Sequence, residues 1–497
     1  MQIKIIHLAG CAAVCVAFCL ATFAQSVETP AHATVEAPKQ FIKARQQLFE
    51  RVSKGDSPSF AVAVVKDGKI VWEEGIGWAD KENGIPTDPN TIYALASISK
   101  SITAAAVDLL EARGKLRSGD PVSKYLGNDW VDDPMAEKVL ISQILNHTSG
   151  IPHLHKYELA ADPSSLFANE AEARRYAFIA SVPGSRFLYT NLGYWYLARV
   201  VAKAGGAPFG DLVSRELLKP LGMDRTSIDT WAGDKGSARG YGRDGSPFDF
   251  KYRLAPDAGA GFLSTAHDLA EYSVFQLGDG QKSLSPASIT AILGKSPDQD
   301  LFRYDRGWGI VKDGGRTFLI SDGQMAGAST AIVLVPEDHV AVVVLSNRTG
   351  GPAVEAAGDI LGAAVPGLGQ RFKTAFGKAE AAVTRDLEMP TGKYAGYILG
   401  KNVKVPISIR FGEEKTVLTI RGKTIEMKNY GFDRGSLQLA ALTGLRTDTK
   451  GDDEYKRLMF TVWIEDSKLK GFVLDELFNE RPRYGYPYRV TLENSQK

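Results

Sequence analysis

Apolar residues run almost without interruption from Ser59 to Val65 and again from Lys69 to Trp78, and the break between the runs is Lys66-Asp67-Gly68. Asp-Gly between two such runs is a strong hairpin signal, so the pattern predicts two antiparallel strands. Just upstream, Phe41, Leu48, Phe49 and Val52 recur among charges at helical spacing, which predicts a helix over 41–52. Alanine and leucine fill the stretch from Ser97 to Gly114, and Gly114 stands where a helix would stop. Asp120-Pro121 reads as the capped start of another. The middle of the chain, to about Ala291, alternates helical segments with long Gly/Pro-rich connections, the kind of loop that builds sites.

Strand patterns return at Trp308–Val311, Thr317–Ile320, Ala328–Pro336 and His339–Ser346, followed by a helical stretch over Ala353–Ala364. Early and late strands that flank a helical middle imply an α/β sandwich in which they share one antiparallel sheet. The composition changes at Gln370–Met389, which is charged and alanine-rich and reads as a linker helix. From Tyr394 onward, runs such as Val403-Val405-Ile407-Ile409-Phe411 alternate with polar residues between recurring turns, predicting a small antiparallel β-barrel. The resulting domain expectation is a leader at 1–24, a tether at 25–40, an α/β domain at 41–368, a linker at 369–389 and a barrel at 390–497.

The leader rests on an apolar run from Leu8 to Ala24 that ends in small residues, the pattern of a signal peptide, so the chain is expected to be exported, periplasmic or secreted. No stable membrane span is expected once it is cleaved. All three cysteines, Cys11, Cys15 and Cys19, lie inside this segment, which leaves the mature chain no thiol for disulfides or nucleophilic chemistry. Lys and Arg number 59 against 58 Asp and Glu. That balance gives nucleic acid no electrostatic footprint to follow. Small molecules and peptides remain as partners; the oligomeric state is not legible.

Three short motifs carry candidate chemistry. Ser97-Ile98-Ser99-Lys100 sits where a strand-like run, Thr91–Ala96, meets a helix. Residues three apart on a helix lie about 5 to 6 Å apart at Cβ, so the Lys100 amine can reach the Ser97 hydroxyl. A helix N-terminus and partial burial would favour a neutral, proton-accepting amine. The blander reading is a helix cap followed by a surface lysine. Tyr189-Thr190-Asn191 follows the turn at Pro183-Gly184. Its phenol could relay a proton, and its amide could hold the lysine and donate to a substrate carbonyl. Otherwise Tyr189 is a loop ring among Tyr194, Trp195 and Tyr196. Ser321-Asp322-Gly323 follows Phe318-Leu319-Ile320, where a glycine-containing strand edge admits a ligand to the backbone; an ordinary turn fits as well. His153-Leu154-His155 lacks the aspartate a metallo-hydrolase would need, so neither a metal nor a cofactor is expected. The absence of a G-x-S-x-G elbow removes the main support for an α/β-hydrolase.

The order SxxK, YxN and a glycine-containing triad on a late strand resembles the serine β-lactamase and penicillin-binding protein superfamily. Three phrases are similar to its class C-type and esterase-like members: Asn146-His147-Thr148-Ser149-Gly150-Ile151-Pro152, Leu218-Lys219-Pro220-Leu221-Gly222-Met223, and the run from Gly259 to Leu269. The resemblance covers about 41–364. It implies a β-lactamase/transpeptidase-like sandwich and an acyl-enzyme mechanism. Ser97 would be the nucleophile, Lys100 the base and Tyr189 the proton relay. Asn191, Ser321, Asp322 and Gly323 would line the substrate site, and the Ser97 and Gln324 amides would form the oxyanion hole. The third motif departs from the family, whose first position is usually Lys or His: here it is Ser321, with Asp322 beside it. A carboxylate-bearing substrate loses an anchor there, which favours a neutral ester or amide. The alternative is a weakly catalytic penicillin-binding or sensing module that binds peptidoglycan-like ligands without turnover.

Overall fold

The computed structural model describes residues 29–161, 170–228, 231–234, 236–255, 257–279, 302–383, 389–400, 403–433, 436–442, 455–478 and 482–495. The expected leader lies outside these residues. Among them, no helix is long and apolar enough to cross a membrane.

The early hairpin forms as β2 (Ser59–Lys66) and β3 (Lys69–Asp80), with Asp67 and Gly68 both at positive φ in the turn. Within the stretch read as a tether, Ala31–Val35 adds β1 to the outer edge of β3. The late strands are β6 (Phe302–Asp305), β7 (Trp308–Asp313), β8 (Arg316–Met325), β9 (Ala328–Val335) and β10 (Val340–Ser346). They join the hairpin in one antiparallel sheet of order β1-β3-β2-β10-β9-β8-β7-β6. The central pairing is long-range, from Val340 opposite Lys66 to Ser346 opposite Phe60.

The sheet is covered on both faces, which is why its central strands read as unbroken apolar runs rather than alternating ones. Phe60, Val62 and Val64 point to one layer with Val340, Val342 and Val344; helices Ile42–Ser53, Ala353–Ala364 and Leu368–Val383 close it. The last of these, the expected linker helix, docks Phe372 against Phe318 of β8. Ala61, Ala63 and Val65 point the other way, away from α1 (Ile42–Ser53) and toward α2 (Ser99–Ala112) and the other buried helices. Those helices include α3 (Asn191–Gly205) and α5 (Ala266–Leu277), with the single turn α4 (Asp257–Ala260) between them. The expected helix start at Asp120-Pro121 does not form there: Pro121 bridges to Leu140, and the helical turn begins at Ser123.

The C-terminal strands close into an eight-stranded antiparallel barrel, from Gly392–Gly400 to the last strand, Pro482–Asn494. Closure is the pairing of Tyr394–Leu399 with Arg489–Asn494. Alternate residues such as Ile398, Ile409, Leu439, Phe460 and Val490 are fully buried, as the two-residue period requires of a filled barrel. The final strand does not end its ladder there. Its first half pairs with β4 (His155–Leu159), which in turn pairs with β5 (Tyr252–Ala255).

Candidate active site

Ser97 was expected on a helix, and it sits instead in a 3-10 turn, Ala96–Ile98, that leads into α2. Ala96 there has φ +49°, a left-handed conformation that costs an alanine about 1 kcal/mol or more. The strain turns the chain sharply from the short strand Tyr93–Ala94 into the helix and leaves Ser97 partly exposed while its neighbours are buried. Lys100, one turn on, is fully buried.

Tyr189 and Asn191 arrive from the other side of the cleft on the start of α3. Thr190 caps that helix, accepting from the Gly193 N–H at 2.9 Å, and its own hydroxyl donates to the Pro152 carbonyl. The cap fixes both neighbours. Tyr189 Oη lies 2.5 Å from Ser97 Oγ, and Asn191 Oδ1 accepts from Lys100 Nζ at 2.6 Å. Lys100 Nζ is also 3.2 Å from Ser97 Oγ and donates to the Gly259 carbonyl at 2.7 Å. Rings enclose the amine, with Tyr189 centred 4.5 Å and Tyr194 5.6 Å away.

Burial pushes the Lys100 pKa well below the usual lysine value, and the negative charge of Asp322 offsets part of that. The bonding geometry is consistent with a neutral amine. Its two N–H bonds would go to Asn191 and Gly259, and its lone pair would face the Ser97 hydroxyl.

The third motif continues β8 rather than forming a turn. Asp322 and Gln324 are exposed, whereas Ser321 is only 2% exposed and its Oγ has no hydrogen-bond partner among the described residues. Gly323 faces the Ser97 turn: a Cβ there would lie 2.5 Å from Thr330 Oγ1 and nearer still to the Leu95 carbonyl oxygen. Thr330 Oγ1 in turn donates to that carbonyl at 2.8 Å. Pairing of β8 with β7 ends at Ile320, while pairing with β9 runs on to Met325. Residues 321–325 therefore present an open backbone edge beside the serine.

Several groups at the site carry no motif of their own. Gly259 lies in the phrase Gly259–Leu269, whose only signal was family likeness. His153 Nδ1 accepts from the Asn191 N–H at 3.4 Å, and His147 Nδ1 from the Thr190 N–H at 3.2 Å. Both histidines therefore serve the capping turn, and burial holds His153 well below the usual imidazole pKa. Behind β7, Arg306 is buried against Asp108 at 2.9 Å and anchors α2 to the β6–β7 turn.

A buried lysine joined to a serine and a tyrosine, with an open strand edge opposite, places the molecule in the serine β-lactamase and penicillin-binding superfamily. The profile of the Beta-lactamase family matches residues 39–365, and the chain belongs to that family. Protein flp of Staphylococcus aureus (strain N315) is 27% identical over 315 residues, 61% of this chain and 63% of that protein. The chain thus spans less than two thirds of the length of that curated relative. "Unguisins hydrolase ungD'" of Aspergillus campestris (strain IBT 28561) is 29% identical over 317 residues, 59% of each protein. Among solved structures, the octameric penicillin-binding protein homologue from Pyrococcus abyssi is similar with a TM-score of 0.56 at 24% identity, over 89% of this chain and 99% of that one. A class C beta lactamase from Rhodobacter sphaeroides gives 0.54 at 22%, over 64% and 98%. At these identities the structures speak for the fold.

Proposed function

We propose that the chain is an exported serine hydrolase acting on a small-molecule or peptide acyl substrate through an acyl-enzyme at Ser97. The observation that carries the reading is the contact of Ser97 Oγ with both Tyr189 Oη at 2.5 Å and the buried Lys100 Nζ at 3.2 Å. A hydroxyl is a weak nucleophile until a base takes its proton, and a desolvated amine is such a base. Ser97 Oγ attacks the carbonyl carbon as its proton passes to Lys100. Tyr189, in reach of the same oxygen, relays that proton from Lys100 to the leaving group, so that both residues end the acylation as they began it. Water then releases the acyl group. The Ser97 and Gln324 amides would receive the developing oxyanion, the second from the open edge of β8.

The substrate reading follows from β8. No lysine or histidine stands at Ser321, and exposed Asp322 adds negative charge at the edge, so a neutral ester or amide is favoured over an anionic acyl compound. A relative described as a hydrolase supports turnover over mere binding. The test is a panel of a cephalosporin, a short-chain ester and D-amino-acid peptides, run on the wild type and Ser97→Ala with covalent labelling by a serine-directed phosphonate. Turnover should fall by about 10⁴ or more in Ser97→Ala, and labelling should vanish. Labelling that persists in that variant refutes the assignment. A wild type that takes the label and never releases an acyl group would favour the sensing module instead.

A further inference from the structure

The barrel is joined to the α/β domain by a continuous ladder that ends beside the cleft. On one side β4 sets His155 opposite Gly485 and Lys156 opposite Tyr484 of the last barrel strand; on the other it sets Tyr157 opposite Leu254 of β5. The approach is close. A Cβ on Gly485 would lie 2.5 Å from the His155 ring, so any larger residue there must displace that ring. The barrel's last strand thus borders the first residues of β4 through two paired positions.

The β4–β5 ribbon in turn grips the turn after β8. Tyr157 Oη accepts from the Ala326 N–H at 3.0 Å, and Tyr252 Oη donates to the Ala326 carbonyl at 2.6 Å. Burial raises the Tyr157 phenol to about 12 and the Tyr252 phenol higher still, so both remain protonated throughout the physiological range. Ala326 stands two residues beyond Gln324. Among the described residues, the stretch 321–325 has no partner strand on its β7 side and pairs with β9 alone. The tip of this one-sided strand end is tied by Gly327 N–H donating to Thr349 Oγ1 at 2.7 Å and by the two phenols, which hold both backbone groups of Ala326. The barrel also packs beside Tyr189: Trp463, Phe472 and Leu474 cluster with Leu188, the residue before it.

We propose that Tyr157 and Tyr252 are positioning residues for the Ser97 reaction: by clamping Ala326 they aim the Gln324 amide at the substrate carbonyl, and the barrel takes part through its ladder to β4. The catalytic half of this proposal rests on the hydrolase reading, whereas the clamp itself does not.

The test uses the full chain as wild type, Tyr157→Phe, Tyr252→Phe and Gly485→Val. Two quantities are measured: amide hydrogen exchange across 316–335, and steady-state hydrolysis of p-nitrophenyl acetate. Each tyrosine variant keeps the ring and loses one hydrogen bond. Exchange should quicken locally over 321–327, and kcat should fall about tenfold with KM within about twofold, a fraction of the effect of deleting an oxyanion donor outright. Gly485→Val should do both from the barrel side. Unchanged exchange in both tyrosine variants overturns the clamp, as does a uniform rise along the whole chain, which would mean general destabilisation. Faster local exchange with unaltered kcat overturns the catalytic link. If the wild type neither turns over nor acylates at Ser97, the hydrolase reading fails, and the exchange data alone decide the clamp.

Discussion

Gly323→Ala isolates the dependence of the site on backbone proximity, because it adds one methyl group and no charge. That methyl would fall 2.5 Å from Thr330 Oγ1, 3.0 Å from Ala96 Cβ and closer yet to the Leu95 carbonyl oxygen. Two of the three obstacles are parts of the turn that carries Ser97, and one is main chain that cannot rotate away. Ordinary contact is restored only if β8 and the turn separate by about 1 Å, near the limit of what packed neighbours allow. Overpacking of this kind costs about 1–3 kcal/mol, too little to unfold a chain with two large buried layers. A misplacement of about 1 Å between reacting groups costs about 10²-fold in rate. The expectation is a roughly hundredfold lower rate of Ser97 acylation, read by stopped-flow with a chromogenic ester, and a melting temperature only a few degrees lower. Gly377→Ala is the control: nothing lies within 4 Å of its added methyl in the helix Leu368–Val383, so rate and melting should hold or improve slightly. A Gly323→Ala enzyme with the wild-type acylation rate would refute the argument that this close approach sets the geometry.

The remaining predictions concern charge. Because burial depresses Lys100, its neutral form should predominate from well below pH 10.5, and kcat/KM should rise with pH through that lowered value; a rising limb centred at 10.5 or above would contradict it. Lys100→Met keeps the bulk and removes the amine, so turnover should drop about 10³-fold or more and the limb should disappear from the pH profile. Burial lowers His155 from 6.5 to about 4, so between those values the unfolded chain binds a proton that the folded chain refuses. Stability should fall as pH drops through that window, by at most about 3 kcal/mol, and a His155→Gln variant should show a shallower slope in denaturant titrations. Arg306→Ala strips buried Asp108 of its 2.9 Å partner and should cost about 3–5 kcal/mol, seen as a lower denaturation midpoint; a neutral result would mean that Asp108 finds another cation or a proton.

The sheet was legible because burial on both faces writes unbroken apolar runs, and the early runs such as Ser59–Val65 and the late ones such as His339–Ser346 could be assigned to one sheet before any pairing was known. The barrel announced itself through the alternation at Val403–Phe411. At the site, the residues that carry functional groups on motifs were legible: Ser97, Lys100, Tyr189 and Asn191 come together within hydrogen-bonding reach. What sequence could not reveal were contributions made by main chain or by shape. Gly259 acts through its carbonyl, Ala96 through a positive φ that nothing in an alanine foretells, and Ala326 through both backbone groups. The helical reading of Ser97 gives way to a 3-10 turn entered through Ala96 at positive φ, where Gly323 of β8 and Thr330 of β9 both approach the Leu95 carbonyl. His153 and His147, which carried no ligand signal in sequence, accept from backbone amides at a helix cap.

The shared last strand also sets a timetable. A nascent chain delivers Ser97 and Lys100 first, but β10, which pairs with β2, comes far later, and Gly485, opposite His155, later still. At common translation speeds that lag is about 20 to 80 s. During this interval the serine and the lysine exist without the frame that brings them to bear, so an unfinished or prematurely terminated chain carries the nucleophile but not its surroundings. Assembly of the cleft therefore waits on strands made long after its nucleophile.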